Sequence, residues 1–384
     1  MKAVAVFPHT REVKIIDHEE PRITRPEEVK LRILDVGICG TDKEICAFEY
    51  GMPPPGSDYL IIGHEALGEV VEVGSAAGNL KPGDLVVPMV RRPCPHPECP
   101  ACRSGNQDFC FTGDFTERGI KERHGFMAEY VVDDAQYMCV VPRASRDVAV
   151  LVEPLTIAAK ALMQARAILR RFPWFDPNNP PDRNDRMYQA LVLGAGAVGL
   201  LGAMALRNFG FETYVYDRVA APNPKSQLVE SFGAIYVSEE GVTAFAHLLG
   251  NIELVYEATG ASQLAFRAMR VLAPNSIFIF TGVPALGAAS QVDTDTIMRN
   301  AVLKNQVILG TVNAGKDAFD AAIRTLVAMD KRWPATVRAL ITGRYPLDAY
   351  RDLLLGHPGG IKNVLSFDTA SASSTGIAQA DTHA

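Results

Sequence analysis

The first part of the chain, from Lys2 to about Pro142, alternates short β-branched or aliphatic runs with glycines and prolines. Runs of this kind predict an irregular, β-rich domain. The predicted strands are Val29–Leu34, Leu67–Val73, Leu85–Val90 and Glu129–Val132. The sequence Lys81-Pro82-Gly83-Asp84 predicts a tight turn between two of them, because proline presets one φ angle and glycine accepts a positive one.

After Pro154 the hydrophobic pattern changes to the period of a helix, which we predict over Leu155–Arg170. Proline suits the first helical turn, where its missing N–H would have no helical partner. From Tyr188 to Thr311, strand-like runs alternate with helical patterns. The six predicted strands are Ala190–Leu193, Glu212–Tyr216, Ile235–Val237, Leu254–Glu257, Ile277–Thr281 and Val307–Leu309. Six strands joined by helices predict an α/β, doubly wound parallel sheet.

The end of the chain carries too little hydrophobic sequence for a third core. It contains a predicted helix, Phe319–Met329, and the apolar ending G-G-I-K-N-V-L-S-F. We therefore expect residues 312–368 to return to the first domain, 1–187, with the parallel-sheet domain, 188–311, inserted between them. The proline-rich stretch 172–181 ends the long helix, and the small polar residues 369–384 predict a disordered tail.

Composition and charge narrow the kinds of partner. Hydrophobic residues make up 48% of the chain and charged residues 21%, which is typical of a globular protein. A formal net charge of -6 without a basic block argues against nucleic acid or an anionic membrane and leaves small molecules as partners. No segment approaches the ~20 apolar residues of a membrane span, and the N-terminal apolar run is too short for a signal peptide. We expect a cytoplasmic protein.

The strongest local motif is G-A-G-A-V-G, in which Gly194, Gly196 and Gly199 lie between an apolar strand and a helix. In this context the glycines permit a tight turn and close approach of the backbone to a pyrophosphate. Asp217 ends the next strand, where a carboxylate binds ribose hydroxyls and repels a 2′-phosphate, which favours NAD over NADP. Arg218 could pair with that phosphate instead. The alternatives are a glycine turn that binds nothing and an Asp217 that only caps a helix.

A second set of residues suits a catalytic metal. Cys39 follows a strand, His64 and Glu65 precede another, and Glu153 opens the long helix. Three protein ligands and one open position are what a catalytic zinc ion needs, and thiolate, imidazole and carboxylate all bind it. Neighbouring residues of a strand point to opposite faces, so the backbone must turn at Gly63 if His64 and Glu65 are to share one ion. Taken singly, a buried cysteine or a hydrogen-bonded histidine is a sufficient explanation.

Four of the seven cysteines crowd into one short stretch, which in a reducing compartment indicates metal rather than disulfides. We call it the four-cysteine lobe: Cys94, Cys99, Cys102 and Cys110. Its spacing can wrap one tetrahedral structural zinc ion. The four residues between Cys94 and Cys99 leave His96 as an alternative to Cys94. Cys46 and Cys139 have no sequence partners and are interpreted as buried small apolar residues.

The motifs C-G-T-D at 39–42, G-H-E-A-L-G-E-V-V-E-V-G at 63–74, K-P-G-D at 81–84 and G-A-G-A-V-G at 194–199 resemble those of the zinc-containing medium-chain alcohol dehydrogenases. Within that superfamily, V-R-R-P-C at 90–94, E-R-G-I at 117–120, H-G-F-M-A-E at 124–129, V-E-P-L at 152–155 and G-I-K-N-V at 360–364 resemble the glucose dehydrogenase branch. The resemblance implies a GroES-like catalytic domain beside a Rossmann domain. It also implies a zinc ion held by Cys39, His64 and Glu65, with Glu153 as a direct or water-mediated fourth partner.

The resemblance further implies hydride transfer from C1 of an aldose such as glucose to NAD or NADP, in a dimer or tetramer. Thr41 beside the metal is expected to pass the proton outward, unless it is only a capping threonine. The residues that resemble sugar-contacting positions are Thr41, Glu117, Glu153 and Asn313. The cofactor-binding candidates are Gly194, Gly196, Val198, Gly199, Asp217, Arg218, Thr259, Val283 and Asn313.

Three alternatives stay open. Glu117 could form only a surface salt bridge with Arg118 or Lys121. The same fold could act on another alcohol or polyol, or it could be a catalytically silent NAD-binding sensor or structural protein.

Overall fold

The computed structural model describes residues 1–173, 182–183, 186–238, 251–285, 287 and 291–367. The chain divides into two compact units. The first comprises Met1–Glu153, Asn313–Leu326 and Val337–Ala384, and the second Pro154–Val312 and Val327–Thr336. The boundaries at 187, 311 and 368 remain predictions, and the predicted tail 369–384 and most of the proline-rich stretch lie outside the described residues.

The main sheet of the first unit contains seven strands within the described residues. Its order is Met138–Val140, Leu85–Pro88, Glu65–Val73, Glu28–Gly37, Lys362–Ser366 and Ile341–Pro346, and Tyr130–Asp134 also pairs with Glu28–Gly37. The predicted turn is present, since the Asp84 N–H donates to the Lys81 carbonyl at 3.1 Å and Gly83 has φ +91. Strand Lys362–Ser366 pairs antiparallel with Glu28–Gly37, so the end of the described chain lies in the first unit.

Two smaller sheets and several helices complete the first unit. One sheet contains Glu12–Asp17, Lys2–Phe7 and Leu60–Ile61, and the other contains Arg91–Arg92, Thr116–Arg118 and Glu122–Arg123. The helices are Gly40–Cys46, Pro100–Arg103, Pro334–Ala339 at the unit boundary, Tyr350–Leu354 and Lys316–Arg332, which crosses between the units at residue 326. Fully buried side chains such as Leu31, Ile62 and Phe126 form the core behind the main sheet.

The second unit is the predicted doubly wound sheet. Its order is Ile235–Val237, Glu212–Tyr216, Gln189–Leu193, Ile252–Glu257, Leu272–Phe280 and Val307–Gly310, and every pairing is parallel. A two-stranded pair, Asp182–Arg183 with Arg186–Met187, precedes it. The helices are Val152–Leu169, Ala197–Asn208, Pro224–Ser231, Ser262–Ala268 and Thr294–Leu303. The order places the first strand beside the second and the fourth, which is the Rossmann arrangement.

The patterns located the strands but did not give all of their ends. Leu254–Glu257 extends to Ile252–Glu257, and Ile277–Thr281 extends back to Leu272–Phe280. Predicted Leu85–Val90 ends at Pro88, because the chain leaves the sheet before Arg91–Arg92 pairs elsewhere. No described helix is both long enough and apolar enough to pass through a membrane.

Candidate metal and dinucleotide sites

Three predicted ligands meet in the first unit, and we call them the candidate catalytic site: Cys39, His64 and Glu65. Their ligand atoms all lie within 4.8 Å of one another. The meeting follows from strand pairing, since Gly37 lies opposite Glu65 in the antiparallel pair of Glu28–Gly37 with Glu65–Val73. Cys39 comes two residues after that pairing position and His64 one residue before it. Thiolate, imidazole and carboxylate at this separation fit a zinc ion.

Gly63 provides the turn on which this arrangement depends. Its φ of +90 is a conformation that residues with a Cβ atom rarely adopt. An added Cβ would also lie only 2.6 Å from Cγ of Met127. The expected backbone turn before His64 and Glu65 is therefore present, and both side chains are buried on the same side of the chain as Cys39.

Asp42 supports the candidate catalytic site from behind, a role that was not predicted. Its Oδ2 accepts the N–H of Cys39 at 2.9 Å, and its Oδ1 lies 3.4 Å from Nδ1 of His64. Within the part of the chain that the structure describes, Oδ1 of Asp42 and Nδ1 of His64 have no hydrogen-bond partner. Burial lowers the pKa of His64, but the nearby Asp42 and Cys39 outweigh it and raise that pKa well above its usual value.

Lys362 is a second residue that the sequence did not assign. Its Nζ donates to Oε1 and Oε2 of Glu65 at 2.8 and 2.6 Å and to the carbonyl of Ile38 at 3.0 Å. Both side chains are buried. Glu65 is therefore already paired with a cation, and its carboxylate would be shared between Lys362 and a bound ion. The signal available was the lysine within G-I-K-N-V.

Glu153 lies near the candidate catalytic site without belonging to its close set. It is in the first turn of helix Val152–Leu169. Burial raises the pKa of Glu153 to about 7, while the charges of His64 and Lys362 lower it and that of Glu65 raises it. These influences place its carboxyl within electrostatic reach of the other ligands. A direct or water-mediated contact with zinc remains a prediction.

Thr41 lies in the first turn of helix Gly40–Cys46 and is partly exposed. Cys39, not Thr41, occupies the N-cap position of this helix. The alternative that Thr41 serves only as the capping residue is therefore wrong, because the chain enters the helix two residues earlier. Its proposed role in passing a proton stays a prediction.

The four-cysteine lobe brings all four of its sulfur atoms within 4.8 Å of one another. All seven cysteines of the chain are free thiols, and the N–H of Cys94 donates to Sγ of Cys102 at 3.4 Å. His96 does not belong to this set, and its Nε2 lies 2.5 Å from Oδ2 of Asp114. Four sulfurs without a disulfide fit tetrahedral zinc. Cys46 and Cys139 are buried as predicted, and burial raises the pKa of each to about 12.

Glu117 is buried and forms no surface salt bridge. Its Oε1 accepts from Nη2 and Nε of Arg91 at 3.0 and 3.1 Å and from Nδ2 of Asn313 at 2.6 Å. The alternative pairing with Arg118 or Lys121 is wrong, because Arg118 pairs with Asp133 and Lys121 donates to the carbonyl of Gly113. Two predicted substrate residues, Glu117 and Asn313, are thus in contact, although 196 residues separate them in the sequence. Arg91 was not predicted, although it lies in V-R-R-P-C.

In the second unit, the glycine motif forms the turn between strand Gln189–Leu193 and helix Ala197–Asn208. Gly194 has φ +105, and a Cβ on Gly199 would lie 1.9 Å from the carbonyl oxygen of Gly194. Gly196 is the N-cap, a Cβ there would meet open space, and Val198 lies in the first turn. A helix N-terminus with an open approach beside it fits a pyrophosphate.

Asp217 directly follows strand Glu212–Tyr216 and lies beside this turn. Its Oδ2 accepts from the N–H of Ala195 at 3.3 Å and from Nζ of Lys225 at 3.0 Å, and its Oδ1 accepts from the N–H of Val219 at 3.2 Å. The next helix, Pro224–Ser231, has Asn223 as its N-cap. The alternative that Asp217 caps a helix is therefore wrong. Lys225 is a further residue that the pattern did not reveal.

The remaining cofactor-binding candidates follow later strands of the same sheet. The N–H and Oγ1 of Thr259 each donate to Oε1 of buried Glu257 at 2.6 Å, and the N–H of Gly282 donates to its Oε2 at 3.2 Å. Glu257 thereby links the loop after strand Ile252–Glu257 to the loop after the neighbouring strand Leu272–Phe280. Val283 is 79% exposed just beyond the second loop. Asn313, predicted for both cofactor and substrate, belongs to the first unit.

Comparisons with known proteins match both units. Residues 146–367 match the family described as "Glucose dehydrogenase C-terminus", and residues 25–143 match "Alcohol dehydrogenase GroES-like domain". The first of these covers more than half of the chain. This chain belongs to the glucose dehydrogenase family. The resemblance to that branch of the zinc-containing medium-chain dehydrogenases, with its GroES-like and Rossmann folds, is confirmed.

Relatives within the glucose dehydrogenase family align over nearly their whole length. "Glucose 1-dehydrogenase" of Methanocella arvoryzae is 38% identical, with 94% of this chain and 98% of the relative aligned. "Glucose 1-dehydrogenase" of Thermoproteus tenax is also 38% identical, with 96% and 100% aligned. Among solved structures, Haloferax mediterranei glucose dehydrogenase in complex with NADP, Zn and gluconolactone has a TM-score of 0.85 at 32% identity, covering 96% of this chain and 100% of that one.

Proposed function

We propose that this chain oxidises the C1 hydroxyl of an aldose, glucose in the first instance, to the aldonolactone and passes the hydride to NAD or NADP. The observation that carries the proposal is the candidate catalytic site in a member of the glucose dehydrogenase family. Relatives named glucose 1-dehydrogenase and the Haloferax complex with NADP, Zn and gluconolactone support it.

The residues divide the work as follows. Zinc, when bound by Cys39, His64 and Glu65, supplies the Lewis acidity that lowers the pKa of the C1 hydroxyl. Lys362 and Asp42 fix the orientation of Glu65 and of the backbone at Cys39, and so hold the ligand set in place. Thr41 would take the hydroxyl proton outward, and NAD or NADP, when bound at the glycine turn, would supply the acceptor for the hydride from C1.

Substrate selection is assigned to Glu117, Asn313 and Glu153. The carboxylate of Glu117 accepts hydrogen bonds from both Asn313 and Arg91, so it is held in a fixed position. The further hydroxyls of a sugar can form additional hydrogen bonds with such groups, whereas a simple alcohol has no further hydroxyl to do so. This difference favours an aldose over ethanol.

The second zinc ion is assigned to the four-cysteine lobe, with Cys94, Cys99, Cys102 and Cys110 as ligands. Its role is structural, because four protein sulfurs leave no open position for a substrate. The dinucleotide is assigned to the glycine turn and Asp217, with NAD preferred and NADP also accepted.

A substrate screen tests the proposal. Purified, zinc-loaded protein is assayed with glucose, galactose, xylose, ethanol, butanol and a polyol, each with NAD and with NADP, and each with and without a zinc chelator. We expect turnover of at least one aldose that the chelator abolishes. Turnover of alcohols or polyols with none of the aldoses would establish the alternative, a related alcohol dehydrogenase. Dinucleotide binding without turnover of any substrate would establish a silent sensor.

The oligomeric state is a separate part of the proposal. Helix Thr294–Leu303 has no buried residue, and its exposed apolar side chains Met298, Val302 and Leu303 accompany exposed Ile308 in strand Val307–Gly310, the last strand of the described sheet. Exposed apolar groups beside an open sheet edge favour association. We expect a homo-oligomer, dimer or tetramer, and light scattering that gives the mass of a single 41.6 kDa chain would contradict this.

A reducing compartment such as the cytoplasm suits the free cysteines.

A further inference from the structure

Asp217 is the residue from which a preference for NAD follows, yet its carboxylate is not an isolated charge. Nζ of Lys225 lies 3.0 Å from its Oδ2, with the Asp217 side chain 11% exposed and that of Lys225 34% exposed. Backbone N–H groups of Ala195 and Val219 occupy the same two oxygens. The negative charge that should repel a 2′-phosphate is therefore paired with a cation whose side chain is partly exposed.

The loop that leads into helix Pro224–Ser231, the helix that carries Lys225, is held in position by its own contacts. The hydroxyl of Tyr236 donates to the carbonyl of Val219 at 2.7 Å. Nδ2 of Asn223 donates to the carbonyl of Ala220 at 3.0 Å and to the hydroxyl of Tyr236 at 3.1 Å. A hydrogen-bonded loop thus places the start of this helix, with Lys225, within reach of Asp217.

Apart from the Lys225 side chain, the N-terminus of helix Pro224–Ser231 has few free groups that could bind an anion. Oδ1 of Asn223 already accepts the N–H groups of Lys225 and Ser226 at 2.8 and 3.0 Å. These are the groups with which helix Pro224–Ser231 would otherwise bind a phosphate. Recognition of a phosphate at this point must therefore come from side-chain cations, namely Lys225 and the neighbouring Arg218.

We infer that Lys225 is a specificity-determining residue, which neutralises Asp217 when NAD is bound and pairs with the 2′-phosphate when NADP is bound. The inference rests on the proposed function and deepens it, because one charge pair then gives a site that accepts both dinucleotides. Asp217 favours NAD and Lys225 favours NADP, and the balance of the two sets the ratio of affinities.

Dissociation constants of NAD and NADP, measured by calorimetry on zinc-loaded protein without substrate, test this inference. Lys225→Met should raise the ratio Kd(NADP)/Kd(NAD) at least tenfold, because Asp217 loses its paired cation and the phosphate loses one of its two cationic partners. Lys225→Arg should keep the ratio near that of the wild type. Lys331→Met is the matched control, since it removes one exposed lysine from the second unit far along the chain. An unchanged ratio in Lys225→Met would overturn the inference.

A double-mutant cycle separates the two residues. Asp217→Ala should lower the same ratio by about tenfold or more, the opposite direction, since the repulsion is removed while Lys225 is freed. In Asp217→Ala with Lys225→Met the effects should fail to add, because the residues are in contact. Additive effects would show that Lys225 acts without Asp217 and would contradict the pairing. Failure of the wild type to bind either dinucleotide would overturn the proposed function itself, whereas an unaltered ratio overturns only the role of Lys225.

Discussion

The four-cysteine lobe takes its ligands from residues 94–110, whereas the candidate catalytic site takes its ligands from Cys39, His64 and Glu65, which strand pairing must bring together. Within the lobe a backbone N–H supports a ligand sulfur. At the candidate catalytic site the supports are buried side chains, and one of them, Lys362, is 297 residues from its partner. A metal site whose ligands all come from one short loop can stabilise the fold of that loop. A metal site whose ligands are positioned by a sheet depends on that sheet and contributes little to its stability.

This comparison predicts opposite consequences of losing each metal. Removing the lobe zinc should loosen local structure, and removing the catalytic zinc should stop the chemistry while the fold persists. The predictions below test that contrast from the largest expected effect to the smallest.

The largest effect is expected for Cys39→Ser. Loss of one thiolate ligand should lower kcat/KM for glucose at least a thousandfold, equivalent to about 4 kcal/mol of transition-state stabilisation. The Tm should stay within a few degrees of the wild type, since Cys39 is partly exposed at a helix start and is not part of the core. Kinetics and thermal unfolding of the same preparation provide the check. Global unfolding of Cys39→Ser would erase the proposed distinction between the two sites.

Cys102→Ser should show the reverse pattern. With its cross-link lost, the lobe should open, the Tm should fall by several degrees, and limited proteolysis should cut within residues 94–110. Activity should fall about tenfold, because the lobe contacts Arg91, whose Nη1 donates to the carbonyl of Asp108 at 3.4 Å and whose Nε donates to Glu117. Complete loss of turnover with an intact lobe would reverse the assignment of the two metals.

Glu117→Ala tests a residue next to the four-cysteine lobe. Glu117 accepts hydrogen bonds from Asn313 and from Arg91, and Arg91 contacts Asp108 of the lobe. We expect kcat/KM for glucose to fall ~10- to 100-fold, which is the cost of about 1–3 kcal/mol for an unpaired sugar hydroxyl. Glu117→Gln, which keeps one acceptor oxygen, is the matched control and should lose less. An equal loss of activity toward butanol would show that Glu117 supports the fold and does not select the sugar.

The smallest effect concerns the segment that leads into His64. Nδ1 of His124 accepts the N–H of Ile61 at 3.1 Å, and burial lowers the pKa of His124 from 6.5 to about 4, with the charges of His18 and Arg118 acting in the same direction. The unfolded chain takes up this proton near pH 6.5 and the folded protein only near pH 4, so stability falls as the pH drops through that window. For a partly exposed group we expect about 1–2 kcal/mol.

His124→Asn keeps an acceptor for the Ile61 N–H without a titrating ring. Denaturant unfolding at pH 7 and at pH 5 should show a smaller loss of stability for His124→Asn than for the wild type. His18 also titrates with a lowered pKa because of its burial, so His18→Asn serves as the comparison variant. The same pH dependence in His124→Asn and the wild type would exclude His124 as a source of acid sensitivity.

Sequence reasoning reached the two sites to different depths for a physical reason. The four-cysteine lobe is local, so spacing alone indicated its ligands, and the structure brings Cys94 rather than His96 to the other three. For the candidate catalytic site, the ligand types could be recognised, and Gly63 could be named as the necessary turn. The supporting pair of Lys362 with Glu65 could not, because it exists only after strand Lys362–Ser366 has paired with Glu28–Gly37.

The parallel sheet was predicted strand by strand because buried parallel strands are continuous apolar runs. Their ends were less certain: Leu272 begins a strand that was expected only from Ile277, since Pro274 and Asn275 interrupt the apolar pattern. Charge pairs across loops, such as Asp217 with Lys225, depend on the loop conformation, so no periodic sequence pattern predicts them.

The central claim is that one chain holds two zinc ions with separate tasks, and zinc content measured together with glucose oxidation tests it most directly. Elemental analysis of the fully reconstituted wild type should give two zinc ions per chain and active enzyme, matching the two ligand clusters. Cys39→Ser should give one zinc ion and a folded, inactive protein. One zinc ion or fewer in the wild type, or two in an active Cys39→Ser variant, would contradict the account.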